Sequence, residues 1–188
     1  MIRRNTFVVL VLGAIGYWLW STSRAATKTP RYALISREGL FDIRDYPPLT
    51  AAKAPMSEGM NNSFRTLFRY ITGSNERHEK IAMTTPVLLD STGGKKSMFF
   101  IMPATTASER LPNPSDPNIS ITHLSASRFA VMRFPGGRGE ANESKAADTL
   151  RRLLTARQFV PAGEPVIAYY DPPWTPLFLR RNEVMIPL

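Results

Sequence analysis

Two apolar stretches in opposite halves of the chain close in similar words, Met98-Phe-Phe-Ile-Met-Pro103 and Glu183-Val-Met-Ile-Pro187. Each ends a run that reads strand, helix, strand, strand, so one order of elements occurs twice and points to an internal duplication. Two such units build an α+β fold in which a curved antiparallel sheet, or a distorted barrel, carries both helices.

In the first unit, Tyr32–Ser36 and Leu40–Tyr46 alternate about a Glu38-Gly39 turn and predict a hairpin, and Leu49–Ala54 predicts a third strand. Ser57 then reads as the cap of a helix to Ile71, whose apolar residues Met60, Phe64, Leu67, Phe68 and Ile71 share one face. Ile81–Leu89 and Met98–Met102 predict two more strands, followed by a Pro- and Ser-rich loop over 104–118. The second unit runs Ile119–Leu124, Phe129–Phe134, a helix over 141–156 with the stripe Ala146, Leu150, Leu153 and Leu154, then Val166–Tyr170 and Phe178–Pro187. Gly137-Arg138-Gly139 precedes the second helix as a phosphate loop would. Asn142 stands where the third glycine belongs and no parallel βαβ unit follows, so the turn reading wins.

Composition excludes several chemistries. With no cysteine, thiol catalysis, Cys-rich zinc sites, iron–sulfur clusters and covalent c-type haem are all absent. Two histidines, His78 and His123, are too few for a zinc or di-iron site, and each reads as a solvated surface residue. His78-Glu79 lacks the second histidine of a zinc-protease motif. The net charge of +9 includes Arg3, Arg4, Arg24 and Lys28 at the N-terminus, and the remainder, 20 basic against 15 acidic residues, has no basic run longer than two. A solvated basic surface explains that excess, and no nucleic-acid partner is expected.

Residues 7–20 are uncharged and rich in Val, Leu and Trp, behind Arg3-Arg4. The stretch is shorter than the roughly 20 residues of a bilayer span and suits either a signal anchor or an export signal. Trp18 and Trp20 favour a membrane interface, whereas Ser23-Arg24-Ala25 offers a cleavage site. Residues 1–30 are therefore expected to be a hydrophobic helix and linker. They would tether a domain of residues 31–188 outside the cytoplasm (the periplasm, in a bacterium), or be cleaved to release it as a soluble exported protein.

Tyr70-Ile-Thr-Gly-Ser-Asn-Glu76, Lys80-Ile-Ala-Met-Thr-Thr-Pro-Val87 and Tyr170-Asp-Pro-Pro-Trp-Thr-Pro176 with Arg180-Arg-Asn-Glu-Val184 resemble the SOUL haem-binding protein family, in order over about residues 31–188. The resemblance implies a pseudo-twofold distorted antiparallel β-barrel flanked by two helices, related to effector-binding domains of the gyrase-inhibitor type. It further implies non-enzymatic, non-covalent binding of haem or another tetrapyrrole between the helix at 57–71 and the loop at 171–178. Carried over, Asn61, Phe64, Phe68 and Arg69 form the helix side, where the apolar stripe adds Met60, and Trp174, Thr175 and Leu177 the loop side. A histidine proposed as axial ligand in some members falls on Asp45, a poor substitute for imidazole, so any haem is expected without a strong axial ligand. Family loops also carry a lysine where this chain has Thr175.

Two other readings stand beside this one. Glu183, a carboxylate on an apolar closing strand, either pairs with Arg180 or Arg181 or lines an effector-binding or hydrolase pocket with Tyr169 or Tyr170. The chain could also be a membrane-tethered protein-interaction module without a ligand.

Overall fold

The computed structural model describes residues 28–104 and 110–188. The predicted N-terminal hydrophobic helix, with its anchor or signal, and the middle of the 104–118 loop lie outside the described residues. The strands are β1 (Ala33–Glu38), β2 (Phe41–Tyr46), β3 (Leu49–Pro55), β4 (Val87–Asp90), β5 (Ser97–Ile101), β6 (Ser120–Leu124), β7 (Ser127–Phe134), β8 (Val166–Tyr169) and β9 (Asn182–Pro187). The helices are α1 (Met60–Ile71), between β3 and β4, and α2 (Glu140–Ala156), between β7 and β8.

All strands join one antiparallel sheet in the order β1-β2-β7-β9-β8-β4-β5-β3-β6. Corresponding strands of the two units occupy mirrored places about the β8–β4 pair: β9 mirrors β5, β7 mirrors β3 and β2 mirrors β6. Each unit lodges its opening strand against the other unit, β2 beside β7 and β6 beside β3. The sheet does not close into the expected barrel. β6 forms one edge, and β1, exposed along its whole length and broken by a register shift between Leu34 and Ser36, forms the other.

Alternation assigns the two faces. Val184 and Ile186 of β9, Phe41 and Ile43 of β2 and Met98 and Phe100 of β5 point to the helices and form one core with Leu67, Tyr70, Leu150 and Leu154. On α1 the buried residues are Ser63, Leu67, Tyr70 and Ile71, and truncating the fully buried Leu67 to alanine would cost about 2–5 kcal/mol. Phe68 lies off this stripe and is 45% exposed. On α2 Ala146, Ala147, Leu150 and Leu154 are buried and Leu153 half-buried.

Three boundaries differ from the sequence reading. Ser57 does not cap α1; Gly59, at φ 88°, and Gly139, at φ 148°, open the two helices in conformations that side chains rarely adopt. The strand expected from Ile81 begins only at Val87, because Pro86 has no N–H for a ladder and the Thr84 hydroxyl is instead bonded to the Ile101 carbonyl. The last strand begins at Asn182, and Leu177–Leu179 form a 3-10 turn before it. The long loop is also less polar in effect than its composition suggests: Leu111 and Ile119 enter the core and the buried Tyr70 hydroxyl donates to the Pro112 carbonyl at 2.9 Å.

Candidate functional site

α1 carries the aromatic pair expected from its spacing. Phe64 and Phe68 lie one turn apart with ring centroids 5.9 Å apart and planes inclined by 13°, and Phe64 meets Phe100 edge-on at 5.2 Å. Phe100 thus fixes Phe64, and Phe64 supports the exposed Phe68. The result is an apolar ledge on the helix, a stacked pair of rings with Phe68 its exposed member. Met60 is half-buried beside it, while Asn61 and Arg69 are exposed.

The segment between β8 and β9 folds over the sheet end next to this ledge. Trp174 is 80% exposed, Leu177 54% and Phe178 85%, an apolar cluster on one loop. Thr175 points the other way: it is buried, and its hydroxyl has no hydrogen-bond partner among the described residues. Two arginines staple the loop from beneath. Arg138 donates to the Asp171 carbonyl at 2.8 Å, and Arg180 donates to the carbonyls of Thr175, at 2.8 Å, and Pro173.

Helix and loop meet at a small cavity of about 60 Å³. Met60, Asn61 and Phe64 line it from α1 and Pro173 from the loop, with Arg138 and Tyr169 between them. Phe68, Arg69, Trp174, Thr175 and Leu177 do not line it; apart from the buried Thr175, they are exposed outside the cavity. Arg138, dismissed in the sequence as part of a turn, is thus the charged group nearest the meeting point. Its guanidinium stacks 4.9 Å from the Tyr169 ring centroid, and burial lowers its pKa. The Tyr169 hydroxyl donates to Glu143, and burial together with that carboxylate raises the phenol pKa far beyond its usual range.

The opposite face of the sheet holds Glu183. Its carboxylate is fully buried and accepts bonds from Arg44 at 2.8 and 3.1 Å, from Arg181 at 2.8 and 3.0 Å and from the Tyr170 hydroxyl at 2.8 Å. Burial raises its pKa, but these donors outweigh burial and hold it below the usual carboxylate range. Glu183 therefore sits in an arginine cluster. Tyr169, offered as its acid–base partner, bonds to Glu143 on the other side of the sheet. Asp42 joins the cluster through Arg44, at 2.5 Å, and Arg37, at 2.7 Å. A separate apolar cavity of about 210 Å³ lies on this face among Leu49, Leu88, Phe99, Phe129 and Met185, and Glu183 is not part of its lining.

Asp45, the position carried over from the axial histidine, is bound by Arg128 at 2.7 and 2.8 Å on β2, and that hydrogen bond lowers its pKa. His78 is exposed, and His123 Nδ1 lies 3.3 Å from the Thr50 hydroxyl. Among the described residues no group of three or more His, Asp or Glu side chains is placed to hold a metal ion.

The model of the SOUL heme-binding protein family matches residues 27–187, and the chain belongs to that family. Heme-binding protein 1 of Sus scrofa is 25% identical over 193 residues, 99% of this chain and 97% of that protein. Heme-binding protein 1 of Xenopus tropicalis is 28% identical over 138 residues, 69% of this chain and 71% of that protein. The fold is shared with the crystal structure of the EcmrR C-terminal domain, with a TM-score of 0.59 at 12% identity over 83% of this chain and 96% of that one. It is also shared with a hydrolase from Listeria innocua, with a TM-score of 0.54 at 10% identity over 81% of this chain and 93% of that one. The two solved structures speak to architecture alone.

Proposed function

We propose that this protein binds haem or another tetrapyrrole without enzymatic turnover, on the surface where α1 meets the 171–178 loop. The observation that carries this reading is the Phe64–Phe68 ledge, two nearly parallel rings 5.9 Å apart of which Phe64 is half-buried and Phe68 exposed, beside a loop that exposes Trp174 and Leu177. Family membership supports the ligand class, since the relatives named above are heme-binding proteins and the family is not generally enzymatic.

The residues fit such a group in kind. A cavity of about 60 Å³ is far below the several hundred Å³ typical of a site that engulfs a ligand of this size, so the macrocycle would lie across the opening. Phe64, Phe68 and Met60 would contact one side of the plate and Trp174 and Leu177 the other. Asn61 and Arg69 would stand at the helix edge, and Thr175, whose hydroxyl is turned inward, would act through the loop's shape. Two aromatic faces buried against the ligand would contribute about 2–4 kcal/mol, against at most about 1 kcal/mol from an exposed Arg69–carboxylate pair. Apolar contact therefore dominates, with no strong axial ligand required.

Hemin titrated into the purified protein should give a saturable Soret shift at micromolar concentration. A shift no larger than that of an unrelated basic protein of similar charge would overturn the reading. The apolar cavity near Leu88 supports a second reading, a compact apolar effector bound on the helix-free face. In that case substitutions on α1 would leave binding unchanged and Leu88→Arg would abolish it. We further propose that residues 7–20 tether the domain to a membrane, a reading supported by their composition.

A further inference from the structure

We infer that Arg138 receives an anionic group of the ligand and makes the site selective for carboxylate-bearing plates over neutral ones. The inference rests on the tetrapyrrole reading above and goes beyond it by naming what the site demands of its ligand.

Arg138 makes no ion pair among the described residues, although the Asp171 and Glu143 carboxylates attract it from beyond contact distance. Its one hydrogen bond to a protein group among the described residues goes to a neutral acceptor, the Asp171 carbonyl at 2.8 Å. Its second contact is the face of Tyr169, whose centroid is 4.9 Å from the guanidinium carbon. No carboxylate among the described residues comes within the 4.0 Å of an ion pair, although most other arginines of the sheet, among them Arg37, Arg44, Arg128 and Arg181, have such a partner. The acids that face it are engaged: Glu143 Oε1 accepts from both the Tyr169 hydroxyl and the Gly139 N–H, and Asp171 Oδ2 accepts the Arg181 N–H at 2.5 Å. Arg180, the other charged neighbour, is also a cation and is also bonded only to carbonyls. Two guanidinium groups that repel one another thus bind the loop through its carbonyls, with no ion pair to either recorded among the described residues.

A half-buried arginine that lacks a carboxylate retains donors for one, and a guanidinium offers a carboxylate two parallel N–H bonds. Arg138 lines the same cavity as Met60, Asn61 and Phe64, so an acid reaching it would come from a molecule lying on the aromatic ledge. Arg69 is exposed at the far end of the helix, where water screens its charge. The geometry therefore gives the acid-binding role to Arg138 and only a weak one to Arg69.

The test is a comparison of protoporphyrin IX, which carries two carboxylates, with its neutral dimethyl ester, each titrated by fluorescence into the full-length protein in detergent. The wild type should bind the diacid at least tenfold more tightly than the ester. Arg138→Gln should remove that preference, weakening the diacid by tenfold or more and changing the ester by less than twofold, and Arg138→Lys should restore part of it. Equal wild-type affinity for the two porphyrins would overturn the inference while leaving the tetrapyrrole reading intact, and it needs no variant to fold. Loss of the preference in Arg69→Gln but not in Arg138→Gln would also overturn it. Failure of the wild type to bind either porphyrin would overturn both.

Discussion

Arg44 and Glu183, 139 residues apart in sequence, form a buried pair in which the guanidinium donates to both carboxylate oxygens, at 2.8 and 3.1 Å. The pair joins β2 of the first unit to β9 of the second on the face without helices. Arg44→Met should leave Glu183 and Asp42 buried with too few donors and destabilise the protein by about 3–5 kcal/mol, as measured by urea unfolding. A loss below about 1 kcal/mol would show that Arg37 satisfies Asp42, and that Arg181 and Arg133, whose Nε lies 3.5 Å from Glu183 Oε1, satisfy Glu183 unaided.

The same cluster sets the response to acid. Burial would raise the Asp42 carboxyl, but Arg37 and Arg44 outweigh it and hold it at about 2, and Glu183 is also depressed. In the unfolded chain both return to about 4, so between those values the unfolded state binds more protons and stability falls as pH falls. Urea midpoints should be flat above about pH 5 and decline steeply from about pH 4 toward pH 2. Glu183→Gln should flatten that decline.

Ligand contact should be dominated by the aromatic ledge. Phe68→Ser should weaken hemin binding by more than tenfold with little effect on stability, because Phe68 is 45% exposed. Arg69→Gln should cost less than tenfold and His78→Ala almost nothing in the Soret titration. Loss of the Soret band in His78→Ala, with Phe68→Ser unaffected, would mean that iron coordination at the loop holds the ligand instead.

Tyr70 ties the long loop to α1. Removing its hydroxyl in Tyr70→Phe leaves the Pro112 carbonyl without its donor and should cost about 1–2 kcal/mol in thermal or urea unfolding, with hemin affinity unchanged.

Residues 7–20 should keep the full-length protein in the carbonate-resistant membrane fraction. A soluble mature form beginning near Ala26 would identify the segment as a cleaved signal instead.

Much of the architecture is legible in residue order because it depends on short-range periodicity. The alternation in Phe41–Tyr46 and the stripe Met60, Phe64, Leu67 and Ile71 specify their elements locally. The errors have a common physical origin. Phe178 extends the apolar run of the last strand and so reads as strand, yet it is exposed, since hydropathy does not distinguish a core residue from an apolar one at the surface. The aromatic half of the candidate site follows from helical spacing. Arg138 does not, because its orientation depends on Tyr169 and Asp171, more than thirty residues away, and only the flanking glycines hinted that the backbone there is unusual. The partner of Glu183 was legible only in part: Arg181 is two residues distant, whereas Arg44 comes from β2.

The mirrored strand order also constrains when the molecule can form. β9 leaves the ribosome after every other strand of the sheet, yet it lies inside the sheet between β7 and β8, and β2 has its permanent neighbour only once β7 exists. A nascent chain that has emerged as far as α2 therefore presents unfilled strand edges and an uncovered helix-facing surface until β9 has emerged. Chains truncated before Asn182 should thus be chaperone clients or aggregate, and the long-range pairings that complete the sheet make folding a late, slow and wholly cooperative event.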